Sequence, residues 1–187
     1  MGFDKARLPL GSERMVDRQI RLLRSICRSV SIVGPPGEFA GTNVQVYADE
    51  IPGQGPLGGI DTGLRRSRTE FSLFLSCDMP FMEARFLRYL CEKALVSRAL
   101  VTAPPPWAKG RYPLCAVLRR GALPSVRSYL ASGQNRVGRF FRRAQCRNIS
   151  KAEFARAGFS PRIFCNLNTR EEYEKVRQQF EALHKGQ

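Results

Sequence analysis

The chain has 187 residues, 43% hydrophobic and 25% charged, with a formal net charge of +15 and one histidine, His184. That length predicts a single domain over residues 1–187, and no apolar run approaches the ~18–20 residues of a membrane span. Met1 to Lys5 lacks the apolar centre of a signal peptide, and one histidine leaves little room for a histidine triad or a His-rich metal site.

The six cysteines, Cys27, Cys77, Cys91, Cys115, Cys146 and Cys165, form no CxxC pair, which argues against a zinc site or a disulfide scaffold. They read as free thiols in a reducing cytoplasm. The positive charge favours an anionic partner, whether a phosphorylated small molecule, nucleic acid or an acidic protein; solvated arginine-rich helix faces are the alternative.

Taken in order, Met1 to Leu10 is a basic, loop-like opening, and Ser12 is read as the cap of a first helix. Val16, Ile20, Leu23, Cys27 and Val30 recur at alternating steps of four and three, one buried helical stripe. Ser29 to Val33 is a short strand broken by Gly34-Pro35-Pro36-Gly37, and Val44 to Ala48 is the next, with Asp49 and Glu50 at its carboxyl end. The loop from Ile51 to Gly59 is rich in glycine and proline and leads into a helix over Leu57–Ser67. The free N–H groups at such a helix start attract phosphate or carboxylate.

Phe71 to Leu75 is apolar without alternation, the pattern of a central strand buried on both faces. Pro80 ends it, leaving Asp78 at its carboxyl end, where open α/β sheets bind ligands; capping of the following helix is the other reading of Asp78. Met82–Arg98 is an amphipathic helix, Ala99–Ala103 a strand, Pro104 to Trp107 a stiff connection, and Tyr112–Leu118 another strand. Helical patterns follow over Gly121–Ala131 and Asn135–Ala144, the second with an apolar face rimmed by Arg136, Arg139, Arg142 and Arg143. Such a rim can also neutralise nucleic acid, but the core-face reading is preferred. Cys146–Ile149 reads as an edge strand, Ile163–Leu167 as the last strand, and Thr169–His184 as a terminal helix capped by Thr169. Strand and helix alternate, which predicts an α/β fold of three layers, α/β/α, with a mostly parallel sheet.

Asp49, Asp78 and the pair Asn166 and Asn168 then fall at strand ends on one edge of the sheet. Carboxylates with a lysine and a glycine loop suit a metal-bound nucleotide. Here the sequence resembles a known family. Met1-Gly2-Phe3-Asp4-Lys5-Ala6, Pro52-Gly53-Gln54-Gly55-Pro56-Leu57-Gly58-Gly59, Cys77-Asp78-Met79-Pro80, Pro113-Leu114-Cys115-Ala116 and Asn166-Leu167-Asn168-Thr169 occur in the order seen in molybdenum cofactor guanylyltransferases. These belong to the wider nucleotidyltransferase superfamily, whose sheet is Rossmann-like.

The resemblance implies transfer of GMP from GTP to molybdopterin with Mg²⁺ and release of pyrophosphate. It implies that Lys5 contacts the nucleotide phosphates and that Asp78 holds Mg²⁺ and is catalytic with Lys5. Asp49 and the loop residues Gly53, Gly55, Pro56, Leu57 and Gly58 would line the guanine nucleotide, with Asn166 and Asn168 on the nucleotide or acceptor side. The substrates implied are GTP and molybdopterin, the protein partners molybdoenzymes or their chaperones, with no specific nucleic acid and no membrane.

The family's usual first strand and its glycine-rich L-A-G-G-x-S-x-R loop are missing ahead of the Met-Gly that opens this chain. The expectation is therefore a reading frame that starts upstream, and a 187-residue chain that is poorly soluble or open at the sheet centre and does not bind GTP appreciably. Three other readings stay open: a CTP-using or sugar-phosphate nucleotidyltransferase, a non-catalytic interaction domain derived from the family, and a basic nucleic-acid-binding protein.

Overall fold

The computed structural model describes residues 5–106 and 112–185, with side chains over 6–106 and 112–181. Met1 to Asp4 of the opening motif and Trp107 lie outside the described residues, and Lys5 is described by its backbone alone. The elements are β1 (Pro9–Leu10), β2 (Glu13–Arg14), α1 (Met15–Arg24), β3 (Ser31–Val33), β4 (Gln45–Tyr47), α2 (Gly55–Arg66), β5 (Phe71–Leu75), α3 (Ala84–Leu95), β6 (Val101–Ala103), β7 (Cys115–Arg119), α4 (Leu123–Ala131), α5 (Val137–Arg143), β8 (Cys146–Asn148), α6 (Lys151–Arg156) and α7 (Arg170–Lys185).

β5, β7, β6 and β8 form one sheet in that order, with β7 antiparallel to both neighbours and β8 parallel to β6. β3 and β4 form a separate parallel pair, and β1 and β2 a small hairpin.

The three layers are legible in β7. Cys115 and Val117 point into an apolar cluster with Leu22 of α1, Phe86, Leu87 and Leu90 of α3, and Phe154 of α6. Ala116 and Leu118 point the other way, into a cluster with Leu57, Ile60 and Leu64 of α2, Val126 of α4, and Phe140 and Phe141 of α5. Each large apolar side chain buried in these layers is worth about 1.5–3 kcal/mol. A third cluster joins the two ends of the chain, Leu10 and Met15 packing with Leu167, Tyr173 and Val176, while the Tyr173 hydroxyl donates to the Pro9 carbonyl at 2.7 Å.

Several expectations need correction. Gly11 and Ser12 form the turn of the β1–β2 hairpin, so α1 starts at Met15 without a side-chain cap, and its stripe stops at Arg24 before Cys27 and Val30. Phe71–Leu75 is not buried on both faces: all five residues are half-exposed and β5 is an edge strand of its sheet. Ile163–Leu167 is not a strand but a 3₁₀ turn over Pro161–Phe164, capped by Ser160, followed by extended chain. Between β8 and that turn lies α6, a short helix to which the sequence reading assigns no element.

Candidate active site

The carboxyl end of β5 opens onto a cleft of about 420 Å³, lined by Gly55 and Pro56 of α2, Ser76 and Asp78 after β5, Tyr112 and Leu114 before β7, Asn135, Arg136 and Val137 at the start of α5, and Asn166. The local chemistry explains each position. Gly53 and Gly55 have φ of +78° and +58°, so the chain turns into α2 through the left-handed region that only glycine enters without strain. α2 begins with no acidic residue in its first turn and no side-chain cap, which leaves a positive helix end at the cleft.

Asp78 does not cap a helix, because α3 starts only at Ala84 with Glu83 as its cap position. The backbone around it is instead pinned by bonds from three directions. The Leu167 N–H donates to the Asp78 carbonyl at 3.0 Å, the Gln19 amide to the Met79 carbonyl at 2.7 Å, and the Arg18 guanidinium to the Pro80 carbonyl at 2.8 Å. The first of these bonds also brings Asn166 into the cleft. Oδ1 of Asp78 and Oδ1 of Asn166 are both buried, and neither has a hydrogen-bond partner among the described residues. Buried acceptors left without a donor call for a partner such as a water, an ion or a ligand.

The cleft thus unites Asp78, Gly55, Pro56 and Asn166. Gly53 is exposed on the loop, while Leu57 and Gly58 are buried beneath the helix start. Asn168 lies outside the lining, and its N–H donates to Glu172 at 2.7 Å. Asp49 follows β4 and also lies outside the lining, with Oδ1 buried and without a partner among the described residues; burial pushes its carboxyl up from the ordinary range. A Cβ placed on Gly59 would sit 3.8 Å from that oxygen, so Asp49 lies against the flank of α2.

The sequence pattern sets Arg136 among the rim arginines of a helix. The structure places it one residue before α5 in extended backbone, with φ −81° and ψ 109°, and it lines the cleft as a cation. Tyr112 is a second lining residue, and nothing in its apolar strand pattern singles it out. Its ring packs edge-on against Phe141, and burial pushes its phenol up although a bond to Asn148 opposes this.

Asp78 fits a hard cation through one carboxylate. No cluster of three acidic, histidine or cysteine side chains occurs among the described residues. A Mg²⁺ here would take its other ligands from phosphate oxygens and water, the usual arrangement for that ion.

Residues 1–149 match the model of the MobA-like NTP transferase domain. A probable molybdenum cofactor guanylyltransferase of Carboxydothermus hydrogenoformans is 32% identical over 94% of this chain and 88% of its own length. The molybdenum cofactor guanylyltransferase of Syntrophotalea carbinolica is likewise 32% identical, over 98% and 87%. Among solved structures, molybdopterin-guanine dinucleotide biosynthesis protein A from Archaeoglobus fulgidus superposes with a TM-score of 0.81 at 15% identity, covering 97% of this chain and 92% of that one. The 2-C-methyl-D-erythritol 4-phosphate cytidylyltransferase of Thermus thermophilus superposes at 0.70 and 11% identity, over 95% and 94%. These two establish the fold as that of nucleotidyltransferases, and the family match and the curated relatives establish that the chain belongs to the MobA-like NTP transferases.

Proposed function

We propose that the chain transfers GMP from GTP to molybdopterin, forming the guanine dinucleotide cofactor and releasing pyrophosphate. The observation that carries this reading is that Asp78 and Asn166, each with a buried Oδ1 that has no partner among the described residues, line one cleft beside the bare amino end of α2. The relatives' names agree with it.

On this reading Asp78 holds Mg²⁺ and is catalytic with Lys5, which meets the nucleotide phosphates. Mg²⁺, when bound, supplies charge neutralisation at the α-phosphate and the leaving pyrophosphate. Gly53, Gly55, Pro56, Leu57 and Gly58 form the wall at the start of α2 beside the nucleotide, Asp49 completes it from the β4 side, and Asn166 and Asn168 orient nucleotide or acceptor. Arg136 adds a cation for the anionic acceptor. A phosphate oxygen of molybdopterin attacks the α-phosphorus in line as the bond to the β-phosphate oxygen breaks. The attacking oxygen is already ionised near neutral pH, so these residues need only position and neutralise. GTP and molybdopterin are the partners in solution, and molybdoenzymes or their chaperones receive the product in the cytoplasm. No helix among the described residues is long and apolar enough to cross a membrane.

The test follows a label on the α-phosphate of GTP, and separately of CTP, into molybdopterin at saturating nucleotide and Mg²⁺. GTP is expected to serve at least about tenfold better than CTP. Equal use of CTP, or no labelled molybdopterin, would defeat the proposal.

A further inference from the structure

We propose that Phe180 of α7 is a positioning residue for Asp78, its ring bracing the turn that carries the carboxylate; the metal-holding role of Asp78 rests on the function proposed above. Met79, Pro80 and Phe81 follow Asp78 outside any helix or strand. The bond from the Met82 N–H to the Met79 carbonyl is long, at 3.3 Å, so the shape of this turn depends on what holds it from outside. Oδ1 of Asp78 has no hydrogen-bond partner among the described residues, so the backbone must place the carboxylate. A group that takes part in metal binding and phosphoryl transfer has to be held within about 0.5 Å of its working position.

One stripe of α7 meets the turn at both of its ends. Tyr173, Val176 and Phe180 recur at steps of three and four and so share one face of the helix. Tyr173 and Val176 pack with Leu167, whose N–H holds the Asp78 carbonyl at 3.0 Å. Three residues further along, the Phe180 ring stacks on Phe81, with centroids 5.6 Å apart and planes inclined by 27°. α7 lies beyond residues 1–149, the part of the chain that matches the family model.

Two arginines tie the same parts together, each touching α7 with one contact and the turn with another. The Arg18 guanidinium carbon lies 5.3 Å from the centroid of the Phe180 ring, while its Nε donates to the Pro80 carbonyl at 2.8 Å. The Arg162 guanidinium carbon lies 4.0 Å from the centroid of the Phe81 ring, and its Nη2 donates to Gln179 of α7. Ring faces are negative and attract both cations, and the Arg18 side chain is only 19% exposed, where water competes less. Aromatic pairs and cation–π contacts prefer particular geometries, so this group fixes where the turn sits, which aliphatic packing of equal area does less well.

The test compares Phe180→Leu, which keeps an apolar side chain and removes the ring, with Phe180→Tyr, which keeps the ring. Ser150→Ala, at the cap of α6 and outside the stack, controls for an unrelated loss of stability. Amide exchange of the 187-residue chain is read first. In Phe180→Leu the Met82 amide should exchange at least about tenfold faster than in the wild type while the Tyr173 amide stays within about threefold, and Phe180→Tyr should restore Met82. Transfer of labelled GMP at saturating GTP is read second. The Mg²⁺ concentration for half-maximal rate should rise about tenfold in Phe180→Leu and stay near the wild-type value in Phe180→Tyr and Ser150→Ala. An unchanged Met82 amide, a Tyr173 amide accelerated as much as Met82, equal effects of the Leu and Tyr variants, or an unshifted Mg²⁺ requirement would overturn the proposal. The exchange measurement needs no turnover, so a wild type that transfers no GMP would sink the function proposed above and leave the brace to be decided by exchange. Should Phe180→Leu fail to fold, Arg162→Met, which removes the cation from Phe81 and the bond to Gln179, carries the same comparison with the same overturning outcomes.

Discussion

Gln19 is 4% exposed, a polar side chain on the apolar stripe of α1, and its amide nitrogen holds the Met79 carbonyl at 2.7 Å. Changing Gln19→Leu would leave that carbonyl with only the 3.3 Å bond from the Met82 N–H, at a cost of about 0.5–1.5 kcal/mol, and would loosen the turn that presents Asp78. A urea melt reads the first effect. The second is a fall in transfer at saturating GTP that is larger than any rise in KM. Asp78→Asn should leave the melt within about 0.5 kcal/mol and lower transfer by about 10²–10³; full activity of that variant would show that Asp78 does not hold the metal. Among the thiols, burial pushes Cys91 and Cys146 up to about 11 and drives Cys27 and Cys115 upward too, whereas Cys165 is exposed. Disulfide reagents at about pH 8, near the ordinary thiol range, should therefore find Cys165 first, and Cys165→Ser should remove the fast phase. At this scale the sequence revealed Asp78 because an apolar run ends there in Asp and Pro. It concealed Arg136, because a residue one step ahead of a helix looks the same in sequence as one on its face.

At the scale of elements, α6 shows a local signal that periodicity does not carry. Ser150 Oγ accepts from the Glu153 N–H at 3.1 Å and Glu153 Oε2 accepts from the Ser150 N–H at 2.9 Å, a reciprocal cap legible as Ser-x-x-Glu. Ser150→Ala should cost about 1 kcal/mol. Arg147, and then the Ser150 N–H, hold the Glu153 carboxyl down at about 2. A depressed carboxylate stabilises the fold above its ordinary pKa of 4.5, and that contribution drains away as pH falls from there toward about 2. Melts of wild type and Glu153→Gln should therefore differ at neutral pH and converge near pH 2. Ile163 and Leu167 misled for a related reason. Both are buried, four residues apart, as in a short strand or a turn alike, and Ser160 with Pro161 decided for the turn.

At the scale of the whole molecule, a minority of the positive charge is engaged locally. Arg14 pairs with Asp17, Arg21 with Glu13, Arg65 and Arg66 with Glu50, Arg127 with the buried Asp61, and Arg147 with Glu153. The remaining cations should draw in anionic substrate and hold DNA only loosely. Fluorescence polarisation with two unrelated duplexes should show equal affinities that fall steeply between about 50 and 200 mM salt. A sequence preference surviving at the higher salt would contradict this. The alternation of strands and helices was readable because periodicity of about two and of about 3.6 is a local property. The division of the sheet between β3 and β5 was not readable from any segment, since an apolar run looks the same whether it lies at a centre or an edge.

The bond from the Leu167 N–H to the Asp78 carbonyl spans most of the second half of the chain. Its consequence is one of timing. A ribosome making ~5–20 residues per second delivers Asp78 roughly 4–18 s before Asn166. Leu167 packs with Tyr173 and Val176, so α7 must also have left the exit tunnel before the cleft can close. A nascent chain therefore carries Asp78 before the cleft exists, and a chain stalled or clipped before α7 stays unable to assemble it.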